Sequence, residues 1–343
     1  MTTTNEKACA AFILRLLVED APVQAVLPDG VLWDDLARTA RRNVVLLRVA
    51  SRLESAGAQL PESFAAAVEA ERQLNVEKLG LMRSVSRACE EGGVAFTLAK
   101  AFHHYPDMGD DVDLYVLSRS LDVDAVILNG LDVVAHKRSL TDRLAAARCY
   151  SVRGSRVKLD IHHGRMWAYG EHDSLLSALV KNARRVTVEG TEFDAPSAED
   201  LLVVEATQRV YGRSSIRLAP VASTINTLRR GELDWDYVLR TARQFGALPG
   251  LGCYLTYVNQ IHTEVFGREL LREDEKKALV TNGWGRVEFA GGAYRFPHLR
   301  VARKVYLKMF RSAALSGNWK SLSRLTLAPL VAAAAVARKS VSQ

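Results

Sequence analysis

Two short segments of the chain, residues 111–116 and 157–162, alternate polar and apolar residues in the manner of half-buried β-strands. The first carries Asp111 and Asp113 at polar positions, and the second carries Asp160. Because side chains along a strand point to opposite faces in turn, the carboxylates share one face while valine, leucine and isoleucine enter the core. A chain with these two segments has to build a sheet that is apolar on one face and acidic on the other.

The three carboxylates come together if both strands lie in the same sheet. Like charges a few ångströms apart disfavour joint ionisation unless a cation lies between them. Oxygen ligands of this kind suit Mg²⁺, which keeps several waters and completes its shell with substrate phosphates. An Asp-x-Asp pair alone is also typical of a solvated strand face, but Asp160 on a second strand and Lys100 upstream favour the metal site.

Two histidine pairs, His103-His104 and His162-His163, raise the question of a zinc site. Zinc requires three or four convergent nitrogen or sulfur ligands. No cysteine is close to either pair in the sequence, and His-x-x-x-His spacing is absent. The pattern therefore favours magnesium over zinc.

Between residues 94 and 163 several short motifs follow one another: an apolar strand, a Lys-small turn, a Tyr-Pro pair, an Asp-x-Asp-Leu run and an Asp-apolar-His run. They are Val94–Leu98, Lys100-Ala101, Tyr105-Pro106, Asp111-Val112-Asp113-Leu114 and Asp160-Ile161-His162. This series resembles the polymerase-β-type nucleotidyltransferase superfamily, and within it a family of poorly characterised bacterial nucleotidyltransferases. A downstream helical region, Gly231 to Gly246, is similar as well, so the resemblance spans roughly residues 30–265.

The resemblance implies an enzyme that transfers a nucleoside monophosphate from a nucleoside triphosphate to an acceptor hydroxyl. The acceptor would be a small molecule, a peptide or an RNA. Two Mg²⁺ ions are implied, with Mn²⁺ as a substitute, and Asp111 and Asp113 would hold both of them. Asp160 would complete the second ion and help to deprotonate the acceptor hydroxyl.

The resemblance also supplies candidates for nucleotide or substrate binding. Lys100 and Ala101 form the turn that would lie against the phosphates, with an exposed lysine at a strand end as the alternative. His162 lies on the same polar face as Asp160. A substrate contact and a structural hydrogen bond are the two alternative roles for its side chain. Arg217 lies near the position where the family has a helix facing the cleft.

Two departures from the family pattern keep other functions open. Ala101 replaces the usual glycine, and the arginine that usually precedes Asp-x-Asp is missing, with Asp107, Met108 and Asp110 in this loop instead. One alternative is a catalytically inactive nucleotide- or partner-binding module on the same fold. The basic C-terminal tail supports another alternative, a toxin-like nucleotidyltransferase that acts on tRNA or protein.

Hydrophobic periodicity divides the chain into four regions and predicts an α+β fold. Residues 1–90 form a helical N-terminal cap, whose longest helix runs from Glu62 to Glu91, between Pro61 and Gly92-Gly93. Residues 91–195 form the mixed-sheet nucleotidyltransferase core, which is taken to include the segment from Arg185 to Phe193. A helical bundle over 196–290 follows, with one helix predicted over 216–229, and a basic amphipathic tail occupies 291–343.

The tail holds the excess positive charge of the protein. Residues 291–343 contain ten Lys or Arg and no Asp or Glu, whereas the whole chain has a net charge of +7. From Leu299 onward the basic residues alternate with apolar ones at helical spacing. A helix packed on the body, contact with an anionic membrane surface, and contact with a polyanionic acceptor all fit this pattern.

The predicted location is the cytoplasm, with peripheral membrane contact through the tail as an alternative. The four cysteines are isolated and form no Cys-x-x-Cys motif, which is typical of a reducing compartment. The N-terminal residues lack the basic and apolar stretches of a signal peptide. The apolar run over 326–337 is too short to cross a bilayer.

Overall fold

The computed structural model describes residues 3–18, 26–99, 102–109, 111–164, 175–212, 215–279, 283–315 and 317–327. The helices are α1 (Thr3–Val18), α2 (Trp33–Arg42), α3 (Leu46–Ser55), α4 (Glu62–Glu91), α5 (Val123–Ile127), α6 (Leu140–Ala145), α7 (Leu175–Lys181), α8 (Ala198–Gly212), α9 (Leu218–Arg230), α10 (Trp235–Gln244), α11 (Leu248–Phe266), α12 (Glu273–Leu279) and α13 (His298–Leu315). The strands are β1 (Phe96–Leu98), β2 (Asp111–Val116), β3 (Val133–Ala135), β4 (Ala147–Val152), β5 (Lys158–His163), β6 (Arg184–Val188), β7 (Thr191–Ala195), β8 (Ser215–Ile216), β9 (Glu288–Ala290) and β10 (Ala293–Arg295). The α+β prediction is confirmed.

The central sheet has five strands in the order β1-β2-β5-β4-β3. The pair β2–β5 is parallel, and the other three pairs are antiparallel. In the parallel pair Asp113 lies opposite Asp160, and Tyr115 lies opposite His162. The predicted mixed sheet is therefore present, with the two carboxylate-bearing strands as direct neighbours.

Helix α4 covers one face of this sheet. Its C-terminal half buries Met82, Val85 and Cys89 in the same core as the apolar residues of β2 and β5. This face is the one that the alternating sequence pattern turns inward, because Val112, Leu114, Leu159 and Ile161 all belong to it. The polar side chains of the two strands therefore point away from α4.

A second core joins the two ends of the chain. It contains buried residues of α1, α2 and α3 together with those of α8, α9 and α11. Tyr115, on the polar face of β2, belongs to this core rather than to the core under α4. The carboxylate-bearing face of the sheet thus looks toward a bundle to which both the N-terminal and the C-terminal helices contribute.

Two expectations from the sequence are wrong in detail. The segment from Arg185 to Phe193 does not join the main sheet, because β6 and β7 form a separate two-stranded sheet. The contact between this hairpin and β1 includes a side-chain hydrogen bond, from Thr97 Oγ1 to the carbonyl of Asp194 at 3.2 Å. The helix predicted to begin at residue 216 begins at Leu218, because Ser215 and Ile216 pair with β10. Strands of two or three residues are too short to show a periodicity.

The predicted basic helix near the C-terminus is α13. It buries Val301, Val305, Met309 and Ala313 against the body of the protein. In the described part of the chain, no helix combines the length and the apolar character needed to cross a membrane. Most of the apolar run over 326–337 lies outside the described residues.

A buried ion pair joins the loop before β2 to the start of α3. Asp107 accepts hydrogen bonds from the backbone N–H groups of Leu47 (2.8 Å) and Arg48 (3.2 Å), and from Arg48 Nε at 2.9 Å. The residue before α3, Val45, provides no side-chain cap. Asp107 therefore satisfies the free N–H groups of this helix from a distant part of the sequence, as an N-cap does.

We expect Asp107→Ala to lower the free energy of unfolding by about 2–4 kcal/mol, because it leaves a largely buried guanidinium and two helical N–H groups without their acceptor. Urea unfolding measures this change. Asp132→Ala is a matched control, since Asp132 is exposed and pairs with exposed Arg153, and its effect should stay within about 0.5 kcal/mol. Equal effects of the two variants would contradict the anchoring role of Asp107.

Candidate active site

Three carboxylates lie on the face of the sheet that looks toward the helical bundle. Asp111 and Asp113 are two residues apart on β2, and Asp160 lies beside Asp113 on β5. Asp111 is exposed, whereas Asp113 and Asp160 are partly buried. The Oδ1 atom of Asp160 is buried and has no hydrogen-bond partner among the described residues. A buried carboxylate oxygen without a donor is a feature that calls for a ligand, since such an atom costs free energy.

Cys149 lies on the other side of Asp160, on β4. Burial and a hydrogen bond to Asp160 together raise the pKa of its thiol to about 12. The thiol therefore stays protonated at neutral pH and acts as a weak donor to the carboxylate rather than as a nucleophile.

His162 is held in place by two neighbours on β2. Its ring stacks on Tyr115, with ring centroids 4.4 Å apart and planes at 9°. Its Nε2 atom is 3.3 Å from Asp113 Oδ1. Burial raises the pKa of Tyr115 well above its ordinary value, and the negative charges of Asp113, Asp160 and Glu205 add to this. Tyr115 is therefore a neutral, rigid support, and His162 orients the carboxylate of Asp113.

Helix α8 faces these carboxylates and contributes a wall of polar side chains. Glu205, Gln208 and Arg209 line a pocket of about 80 Å³ together with Asp111 and Asp113. Glu205 is buried and accepts a hydrogen bond from Arg209 Nε at 3.0 Å. The sequence analysis missed this wall. The available signal was Glu205, Gln208 and Arg209, three polar residues at i, i+3 and i+4 spacing in a largely apolar helix, which is unusual for a buried helix.

Behind Glu205 lies a buried histidine. His104 Nε2 is 3.4 Å from Glu205 Oε1, and its Nδ1 is 2.8 Å from Ser223 Oγ on α9. Burial lowers the pKa of His104, although the hydrogen bond to Glu205 opposes this change. The pKa of His103 is lowered as well, to about 3, by burial and by its neighbour His104. The Ser223 hydroxyl is itself buried, so this group supports Glu205 and presents no nucleophile to a substrate.

The turn between α2 and α3 closes the pocket from the side of the N-terminal helices. Val44, in this turn, has a φ of +58° and lines the pocket. A β-branched residue in the left-handed region is strained, and such strain persists only where the surroundings enforce it. Asn43 holds the backbone of this turn in place. It is fully buried, donates to the carbonyls of Thr39 and Gly292, and accepts from the N–H of Leu218, the first residue of α9.

A larger cleft of about 550 Å³ adjoins the carboxylate pocket. The two cavities share Val44, Asp107, Gly109 and Arg217. Gly109 has a φ of +75°, a conformation that suits glycine where the chain turns into β2. Five arginines line the cleft: Arg38, Arg41, Arg42, Arg156 and Arg217.

A comparison with protein families identifies the family of this chain. The model of a family described as uncharacterised nucleotidyltransferases matches residues 29–262, which is more than half of the chain. The chain belongs to this nucleotidyltransferase family. The protein is therefore an enzyme of the nucleotidyltransferase type, and its substrates include a nucleotide. Searches of curated proteins and of solved structures found no match.

The structure of this nucleotidyltransferase brings five of the seven predicted site residues close together. Asp111, Asp113, Asp160 and His162 share one face of two neighbouring strands, and Arg217, just before α9, lines the same pocket as Asp111 and Asp113. The catalytic and binding roles of these residues stay predictions. Lys100 and Ala101 lie outside the described residues.

The carboxylates of this nucleotidyltransferase suit a Mg²⁺ ion that is shared with substrate phosphates. They suit less well a metal ion that is coordinated by protein side chains alone. Among the described residues, no group of three or more His, Cys, Asp or Glu side chains closes into a metal cluster. Mg²⁺, however, is commonly bound by one or two carboxylates together with waters and substrate phosphates. The free Oδ1 of Asp160 and the neighbouring carboxylate of Asp113 fit this manner of binding.

We expect the nucleotidyltransferase to lose stability as the pH falls below about 6.5, because histidines in the unfolded chain take up protons there and buried His104 does not. A lowered folded-state pKa means that the unfolded state binds more protons in this range, so stability rises with pH. His104→Gln should reduce the slope of unfolding free energy against pH between pH 7.5 and 5.5, measured by urea unfolding. The exposed residue His136 gives the matched control, His136→Gln, and an equal slope in both variants would refute the assignment.

Proposed function

We propose that the protein transfers a nucleoside monophosphate from a nucleoside triphosphate to an acceptor hydroxyl, at Asp111, Asp113 and Asp160. The observation that carries this proposal is the register of β2 and β5, which sets Asp113 directly beside Asp160. The buried Oδ1 of Asp160, which has no donor among the described residues, supports a site that is completed by a ligand. Membership of a nucleotidyltransferase family supports the reaction type.

Mg²⁺ is the cofactor that we propose, with Asp111 and Asp113 holding two ions and Asp160 contributing to the second. When bound, Mg²⁺ supplies Lewis-acid stabilisation of the charge that develops on the phosphate oxygens. Asp111 is exposed, so it can meet an incoming triphosphate. His162 keeps the carboxylate of Asp113 oriented through the 3.3 Å contact and the stacking on Tyr115, as an outer partner of a ligating group commonly does.

In the proposed reaction the acceptor hydroxyl attacks the α-phosphorus of the nucleotide. A bond forms between the acceptor oxygen and phosphorus, and the bond between phosphorus and the pyrophosphate oxygen breaks. Asp160 takes the proton of the hydroxyl, and pyrophosphate leaves with the electrons of the broken bond. Lys100, on the turn with Ala101, contacts the phosphates in this proposal as a mobile positive charge. Arg217 and His162 contact the substrates near the carboxylates.

The first test is a calorimetric titration of ATP, GTP, CTP and UTP into the protein with Mg²⁺, for the wild type and for Asp113→Asn. We expect one nucleotide to bind in a manner that requires both the metal and the carboxylate, because the phosphates and the metal complete each other's coordination. Nucleotidyl transfer, measured with the nucleotide that binds, should fall on the order of a thousandfold or more in Asp113→Asn.

The matched control is Asp132→Asn, which removes one negative charge from an exposed ion pair away from the pocket. It should retain both binding and transfer. Near wild-type transfer activity of Asp113→Asn would contradict the catalytic role of Asp113. Nucleotide binding that is indifferent to both Mg²⁺ and Asp113 would favour the inactive binding module instead.

We also propose that the basic C-terminal region contacts an anionic surface in the cytoplasm, where the four free cysteines would stay reduced. On α13, Leu299 and Leu307 are exposed, and so are the neighbouring basic residues Arg303 and Arg311. Exposed leucines between arginines are typical of helices that lie on anionic lipid.

The expected result is co-sedimentation with vesicles that contain phosphatidylserine and no co-sedimentation with vesicles of phosphatidylcholine alone. Leu299→Gln/Leu307→Gln should weaken this binding several-fold, because the apolar anchor is lost. Leu32→Gln/Val76→Gln is the matched control, since Leu32 and Val76 are exposed on other helices or loops. Equal binding to both vesicle types would exclude the anionic surface.

A further inference from the structure

Four of the five arginines that line the larger cleft have no role in the transfer reaction proposed at the carboxylates; Arg217 is the exception. Three of the five, Arg38, Arg41 and Arg42, lie on α2 at positions that share one side of the helix. The fourth, Arg156, comes from the turn between β4 and β5, and Arg217 comes from the residue before α9. Three separate parts of the chain therefore direct guanidinium groups toward one cavity.

Much of this charge is not neutralised within the described part of the chain. The two acidic residues of the cleft, Glu71 and Asp107, are both engaged, with Lys78 and Arg48 respectively. Arg38 pairs with Asp35. Arg41, Arg42 and Arg156 form no ion pair with any carboxylate of the described residues, and all three are exposed. Exposed guanidinium groups without carboxylate partners in a concave surface attract anions.

The position of the cleft relates it to the acceptor side of the reaction. Strands β2 and β5 are parallel, so their first residues lie at the same edge of the sheet. Arg156 is two residues before β5, the strand that carries Asp160. Strand β1, which precedes the proposed donor contact Lys100 in the sequence, instead pairs with the opposite edge of β2. The cleft also opens into the carboxylate pocket, since Gly109 and Arg217 line both.

The chemistry of the lining favours phosphate over a nucleobase. Among the described residues, no aromatic side chain lines the cleft, so these residues offer no aromatic ring on which a base could stack. Guanidinium groups bind phosphate through paired, charge-assisted hydrogen bonds. A volume of about 550 Å³ accommodates a small molecule.

We propose that this cleft binds a phosphomonoester group of the acceptor and so presents the acceptor hydroxyl to Asp160. The inference rests on the proposed function, because it names the class of acceptor for that site. The substrate would be a small molecule that carries both a free hydroxyl and a phosphate.

The test measures binding without catalysis. Glycerol phosphate, and glycerol as its uncharged counterpart, are titrated calorimetrically into the full-length protein in low-salt buffer with EDTA. We expect glycerol phosphate to bind and glycerol not to bind. Arg41→Gln/Arg156→Gln should weaken the binding at least tenfold, because two charge-assisted contacts are lost. Both residues are exposed, so the variant should fold normally.

Two control proteins locate the site. Arg87→Gln/Arg240→Gln removes two exposed arginines that lie outside the cleft and has the same change of charge, so its affinity should match the wild type. Asp111→Asn/Asp113→Asn should retain binding in the absence of metal, which separates this test from the failure of the transfer reaction. No binding to the wild type, or binding lost equally in the two arginine variants, would overturn the proposal.

A final experiment tests whether the cleft arginines bind the phosphate of the acceptor or the triphosphate of the donor. Glycerol phosphate is titrated again in the presence of Mg²⁺ and the α,β-methylene analogues of ATP, GTP, CTP and UTP, which cannot release pyrophosphate. Retained binding supports an acceptor subsite that is compatible with a bound donor. Displacement by an analogue would assign the arginines to the donor triphosphate and would overturn the acceptor assignment.

Discussion

The rest of the structure depends on the parallel register that sets Asp113 beside Asp160. Two carboxylates on neighbouring strands repel each other, and the sheet holds them together because the opposite faces of the same strands are buried under α4. A shift of one residue in the register would turn the acid groups into that core and the leucines and isoleucines out of it. Burial of the apolar face therefore holds the carboxylates together on the other face, and their unfavourable proximity supports the cation site that we propose.

The helices complete the site from several parts of the chain. Buried Glu205 and Arg209 approach the carboxylates from α8, and behind them His104 links the loop before β2 to α9. On the opposite side, Asp107 anchors that loop to α3, and Asn43 ties the turn after α2 to the start of α9. These buried polar contacts give the loops around the pocket a defined position, since each donor or acceptor would cost free energy if it were left alone. The strained backbone of Val44 lies at the centre of this arrangement.

The two neighbouring cavities divide the surface by charge. The smaller one is acidic on the sheet side and suits metal-bound phosphates, whereas the larger one is dominated by arginine. The acceptor that we propose spans both cavities, with its phosphate among the arginines and its hydroxyl at the carboxylates. This division explains how an enzyme without the usual arginine ahead of Asp-x-Asp still presents positive charge near its carboxylates.

Local periodicity and short motifs were enough to predict the two strands, the shared face of Asp111 and Asp113, the long helix α4 and the family resemblance. They also indicated Asp160 and His162, since the second strand repeats the alternation of the first. The packing of distant segments, by contrast, separates β6 and β7 from the main sheet, places Ser215 and Ile216 in a strand, and lets Asp107 cap a helix about sixty residues earlier in the chain. Only the structure revealed Glu205 and the arginine cleft, whose members are separated by more than a hundred residues. Contacts between distant residues depend on how helices and sheets pack against one another, and local sequence patterns do not predict that packing.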